Sequence, residues 1–170
     1  MKRRMPNMPK NKLFSIGVVM AALLLVGIGG YVAKTKVAPR PVQIPAIVSG
    51  QLLFTPYVPT KLPEGYKVDK ASFRKQEGAL LFSAVNSQGE RILFSEQSVP
   101  KNFDVSGFYS SSLTKPTRLD SLKYQGVYGE LNGQKKHLAG VTIDDTWLLI
   151  IGSFTKQDVT DLANGLVPQE

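Results

Sequence analysis

Residues 13–33 read LFSIGVVMAALLLVGIGGYVA, 21 positions without a charge, and no other feature limits the architecture of the chain as strongly. At 1.5 Å per residue, a helix of that length spans about 31 Å, the thickness of a hydrocarbon core. The run predicts a transmembrane helix. Lys2, Arg3, Arg4, Lys10 and Lys12 precede it, and Lys34, Lys36 and Arg40 follow. The steeper basic cluster is N-terminal, which predicts a single-pass cell-membrane protein with its N-terminus in the cytoplasm and its C-terminal part outside. A cleaved signal peptide would have an apolar core of only about 7–15 residues and a small-x-small cleavage site. Here Tyr31 stands two before Ala33 and Lys36 two before Ala38, so an uncleaved signal-anchor is expected, with the lipid bilayer as partner of residues 13–33.

The net charge of +8 over 170 residues divides unevenly. The first acidic residue is Glu64. Residues 1–63 carry +9, whereas residues 64–170 hold 12 basic against 13 acidic side chains, or −1. The basic excess therefore belongs to the anchor and what flanks it. The remainder alternates in sign and offers no basic patch for a phosphate backbone, so nucleic acid is not an expected partner. The chain has no cysteine, which excludes disulfide scaffolds, thiolate nucleophiles, zinc ribbons and lipid-modified cysteine alike.

Residues 34–63 hold six of the eleven prolines. Because proline fixes its own φ and biases its predecessor toward extended backbone, residues 34–58 are expected to form a stiff stalk that holds the domain off the bilayer. Its second half carries Leu52, Leu53, Phe54 and Tyr57, which should pack along the domain's edge in a short strand ended by Pro56. The organisation expected is then a basic tail (1–12), the helix (13–33), the linker (34–58) and an extracytoplasmic domain (59–170).

That domain reads as α+β, an antiparallel sheet with one or two packing helices. Strands are expected at 66–73, 79–85, 91–97, 124–131, 136–143 and 146–153, with a polar hairpin turn at 86–90. Asn132-Gly133 suits the two positive φ angles of a type I′ turn. The stretch TWLLIIGS at 146–153 suggests a central strand covered on both faces. Thr155 and Asp158 form a capping box for a helix carrying Val159, Leu162, Ala163 and Leu166, closed by a left-handed Gly165. A weaker helix is expected at 104–113, where Gly107 and three serines lower the propensity. Strand–strand–strand–helix thus occurs twice, which suggests a duplicated βββα unit related by a pseudo-two-fold axis.

From Leu62-Pro63-Glu64-Gly65-Tyr66, through the strand around Gln125-Gly126-Val127 and the Trp147 strand, to the helix at 155–166, the chain resembles a bacterial family of extracytoplasmic domains of unknown function. Members stand behind single transmembrane helices, in lipoproteins and at the outer ends of some anti-sigma factors. The likeness covers residues 56–167 and implies a curved antiparallel sheet holding a helix, and binding of an apolar ligand or a partner protein. It carries over no functional residue. Unlike the anti-sigma members, this chain has only about a dozen residues inside and no His and Cys zinc motif.

Chemistry-bearing candidates are few. His137 is the only histidine and follows Lys135 and Lys136 in a strand, with no carboxylate or serine at a partner position. Asp144-Asp145 lacks the alternating acidic pattern of a calcium loop and reads as a tight turn. Ser110, Ser111 and Ser112 lack a nucleophile elbow; Ser112 with Lys115 forms a formal S-x-x-K without its companion motifs. Aromatic residues remain, and Tyr124, Tyr128 and Trp147 are the candidate ligand or partner surface if they line a pocket open to solvent. The reading is a membrane-anchored extracytoplasmic binding domain without catalysis, cofactor or metal. A structural subunit of an envelope assembly is the second reading, and an envelope hydrolase the third.

Overall fold

A computed structural model of the chain describes residues 42–120 and 123–169. The apolar run at 13–33 and its basic flanks lie outside these residues; among the described residues, no helix is long and apolar enough to cross a membrane. The chain enters as an arm with one short helix, α1 (Ala46–Ser49), followed by strand β1 (Tyr57–Pro59). Then come β2 (Lys67–Gln76), β3 (Ala79–Val85), β4 (Arg91–Ser98), α2 (Val105–Ser112), β5 (Leu113–Arg118), β6 (Gln125–Leu131), β7 (His137–Ile143), β8 (Thr146–Gly152), α3 (Lys156–Asn164) and β9 (Leu166–Pro168). The result is α+β. A seven-stranded antiparallel sheet has the order β2-β3-β4-β8-β7-β6-β5, and β1 pairs with β9 in a separate two-stranded ribbon.

β8 lies at the centre of the sheet, and all seven of its residues are buried. Its alternating side chains go to two different cores. Leu148 and Ile150 join Phe82, Phe94 and Val141 on one face, under α3 and the arm. Trp147, Leu149 and Ile151 join Leu138, Phe108 and Tyr109 on the other, under α2. A strand apolar on both faces needs a cover on each, and the two helices supply one cover apiece.

That division bears on the expected βββα duplication. β2-β3-β4 and β6-β7-β8 do meet third strand to third strand, with β4 antiparallel to β8. A two-fold axis between antiparallel neighbours stands normal to the sheet and keeps every side chain on its own face. α2 and α3 lie on opposite faces, so the helices break the symmetry that the strand order suggests.

The hairpin turn at 86–90 forms as expected, with the Asn86 side chain accepting from the Gln88 and Glu90 amides at 3.0 and 2.9 Å. The LPEGY segment is a turn: the Tyr66 amide donates to the Pro63 carbonyl (3.1 Å) with Gly65 at φ +79°. α2 begins on Asp104, whose carboxylate accepts from the Gly107 amide. α3 carries the full Thr155–Asp158 capping box.

Two turn expectations are corrected. Asn132 does not enter the left-handed region; of the pair only Gly133 does, at φ +72°. Instead the Asn132 amide and side chain donate to the Ser112 and Ser111 carbonyls at 2.9 Å each, so the hairpin loop caps the C-terminal end of α2. Gly165 has φ −92°. Its lack of a side chain serves a close approach: a Cβ there would lie 3.1 Å from the Thr60 hydroxyl, which donates to the Gly165 carbonyl at 2.7 Å.

The stalk expectation is corrected as well. Residues 42–58 are part of the domain rather than a spacer. Of the four residues expected to pack along its edge, Leu52, Phe54 and Tyr57 do so, whereas Leu53 is 94% exposed, and the short strand begins after Pro56, at Tyr57–Pro59, instead of ending there. Ile44, Tyr57 and Val58 are buried in the α3-side core, with Leu52 and Phe54 packed against it. Proline count misleads here because Pro45 opens α1 and Pro59 ends β1, so both punctuate a folded arm.

Candidate functional site

The arm meets the sheet at one end, where β4 finishes, β8 begins and the β7–β8 turn lies. Four side chains hold it. Thr146 Oγ1 donates to the Thr55 carbonyl (2.9 Å), Tyr57 Oη to Asp144 Oδ2 (3.2 Å) and Lys75 Nζ to the Gln51 carbonyl (2.7 Å). The fourth is Glu96, whose Oε2 accepts the Tyr57 amide at 2.7 Å. β4 alternates, and position 96 falls on the inward face opposite Leu148 of β8 and Leu80 of β3. The carboxyl is fully buried, and its Oε1 has no hydrogen-bond partner. Burial pushes its pKa up to about 8, against the smaller opposing pull of the Tyr57 amide. At neutral pH Glu96 is therefore mostly a neutral acid. Burial, then the Asp144 carboxylate, also raises the Tyr57 phenol.

Beside this latch lies an open groove of about 400 Å³ lined by Leu53, Lys75, Glu77, Gln97, Val99 and Lys101 among others. Leu53 is 94% exposed, and Ile47 of α1 is 77% exposed. Apart from Val167 on β9, no other large apolar side chain among the described residues stands so open.

The sheet edges are closed to strand addition. β2 carries Lys67, Lys70, Arg74 and Lys75 and loses its register between Asp69 and Arg74. There the Ser72 hydroxyl, which accepts from the Ser83 amide (2.8 Å), stands in for a ladder carbonyl. β5 is exposed after Leu113, and its register shifts between Thr114 and Thr117, where Lys115 takes φ +50° next to Pro116. Lysines, a proline and register breaks are the devices that block edge-to-edge pairing.

The structure does not bring Tyr124, Tyr128 and Trp147 into one pocket. Trp147 is fully buried on the α2 face, its Nε1–H donating to Tyr109 Oη at 2.7 Å. Tyr109 reaches it by crossing Gly140, where any Cβ would overlap the phenol. The Tyr109 phenol is pushed up to about 12 by burial, in spite of the Trp147 bond. Tyr124 and Tyr128 lie on the opposite face, half-buried against the α3-side core. Tyr128 stacks on His137 (5.1 Å, 15°) and donates to the Phe154 carbonyl at 3.2 Å; Lys123 Nζ lies 5.3 Å from the centre of the Tyr124 ring. Aromatics just before β6, on β6 and on β8 give no indication of face until the pairing register is known. Trp147 pairs with Thr142 and Tyr128 with Ala139, three residues apart on β7 and hence on opposite faces.

The remaining candidates have structural roles. His137 is half-buried, with Nδ1 buried and unbonded beneath Tyr128 and Phe154. Asp144 and Asp145 form the two-residue β7–β8 turn, Asp144 at φ +48°. Ser111 in the last turn of α2 donates to the Phe108 carbonyl. Among the described residues, no group of three or more His, Asp or Glu is placed to hold a metal ion.

Glu96 is the residue that the sequence reading missed. Its only signal was position: in RILFSEQ an acidic residue falls in phase with Ile92 and Phe94, on the strand's apolar face. Comparison with known proteins adds no assignment, since no family model, curated protein or solved structure matches the chain.

Proposed function

We propose that this chain is a single-pass cell-membrane protein whose C-terminal α+β domain works outside the cytoplasm as a non-catalytic binding domain, held by a helix at residues 13–33. The tether rests on the 21-residue uncharged run and the basic cluster before it. One observation carries the binding reading. On the arm, two large aliphatic side chains, Ile47 and Leu53, stand in solvent, Leu53 on the wall of an open groove, on a domain whose sheet edges both resist strand addition. Binding then uses a face and its groove, with no strand exchange.

The topology has a direct test. Protease added to intact cells should degrade the domain while an N-terminal tag stays protected. A domain that resists until the membrane is permeabilised would refute the orientation.

A further inference from the structure

The binding reading leaves open what the arm end meets first, and geometry narrows the choice. Had residues 34–58 been a stalk, the domain could have stood roughly 85 Å from the bilayer. With Val42 packed against the domain's core, only eight residues separate it from Ala33, a reach of at most about 32 Å. A domain of this size has a radius of gyration of about 14 Å and is roughly 36 Å across. The tether is thus shorter than the domain it holds, and the arm is where it joins the domain.

The arm's surface suits that position. Ile47 and Leu53 are open, and Leu53 stands on a groove with Lys75 and Lys101 on its walls, Glu77 being the one carboxylate there. Lys34, Lys36 and Arg40 add three positive charges to the intervening link, with no acidic residue before Glu64. An exposed leucine flanked by two lysines matches an interface where acyl chains meet anionic headgroups. A soluble partner of unspecified charge would not require this basic bias.

We propose that the arm end docks on the anionic headgroup surface of the bilayer that holds the tether, with Ile47 and Leu53 seated in the interface and Lys75 and Lys101 facing lipid phosphates; this rests on the tether reading above. The domain then lies against the membrane with its latch end down, and the turn at 86–90 is the outermost part of the sheet.

The chain has no cysteine, so single-cysteine variants of the full-length protein take a nitroxide at one place only. Leu53→Cys, Ile47→Cys and Ser87→Cys are reconstituted in phosphatidylglycerol-containing and in pure phosphatidylcholine vesicles, and collision with oxygen and with a water-soluble nickel chelate is compared. Docking predicts an oxygen-to-chelate ratio several-fold higher at 47 and 53 than at 87 in the anionic vesicles, falling in phosphatidylcholine and on adding Lys101→Glu. Flotation of the same samples in high salt separates the two readings. Chains that float while position 53 is as aqueous as position 87 overturn the docking and leave the tether standing, the surface then being free for a soluble protein. Chains that do not float overturn both.

Discussion

The buried carboxyl of Glu96 makes stability depend on pH in an unusual direction. In the unfolded chain its pKa is the ordinary 4.5, and in the fold about 8. A folded-state pKa above the unfolded one means that the fold binds the proton more tightly. The associated stability is fully present below about pH 4.5 and is lost as pH rises through 8. By the pKa span the whole effect is on the order of 5 kcal/mol, of which about half disappears between pH 5 and 7. This is a large share of a typical domain stability of about 5–15 kcal/mol. Glu96→Gln keeps an oxygen for the Tyr57 amide and cannot ionise. The perturbation is measured by urea unfolding of the full-length protein in mild detergent, followed through Trp147, the single tryptophan, from pH 5 to 9. Wild type should lose stability across that range relative to Glu96→Gln, and the variant should be the more stable protein at pH 9. Subtracting the two curves cancels the contributions that the two proteins share. If the difference is flat from pH 5 to 9, or if wild type gains on the variant as pH rises, Glu96 is not held as a neutral acid and the latch described above is misassigned.

Two further outcomes follow from the α2 face and from α3. Tyr109→Phe leaves the Trp147 indole N–H buried without its acceptor and should cost about 1–3 kcal/mol in urea unfolding; Trp147→Phe in the same background should show non-additivity, since the two share one bond. Thr155→Ala removes half of the capping box of α3 and should cost about 1 kcal/mol, measured by thermal unfolding, with Thr155→Ser restoring most of it.

Strands and caps were legible because their causes are local. β3 was placed to the residue and β4 to within one, and Thr155 and Asp158 cap where their spacing suggested. What escaped were pairings between distant segments. The arm looked like a stalk because Ile44 and Val58 find their partners only in the assembled core. Asn132 looked like half of a hairpin turn because its use as a cap for α2 depends on β5 and β6 lying side by side. Trp147 looked available for a ligand because Tyr109, the residue that engages it, lies 38 positions away. The arm-end groove was beyond reach for the same reason, being assembled from Leu53, Lys75 and the segment after β4.

The latch also sets an order of events during synthesis. A chain made from its N-terminus presents the arm before the sheet, and the arm's partners emerge one after another. Glu96 appears 39 residues after Tyr57, Thr146 lies 91 residues beyond Thr55, and Gly165 lies 105 beyond Thr60. Until β9 arrives, β1 has no strand to pair with, and the apolar residues of the arm remain exposed to neighbouring nascent chains. Glu96 closes the shortest of these loops and so at the lowest entropic cost. Only the exposed bond from Lys75 to the Gln51 carbonyl spans fewer residues, 24, so β2 and then β4, rather than the ribbon that finally covers the arm, gather the chain's beginning onto its sheet, with Glu96 as the arm's first buried partner.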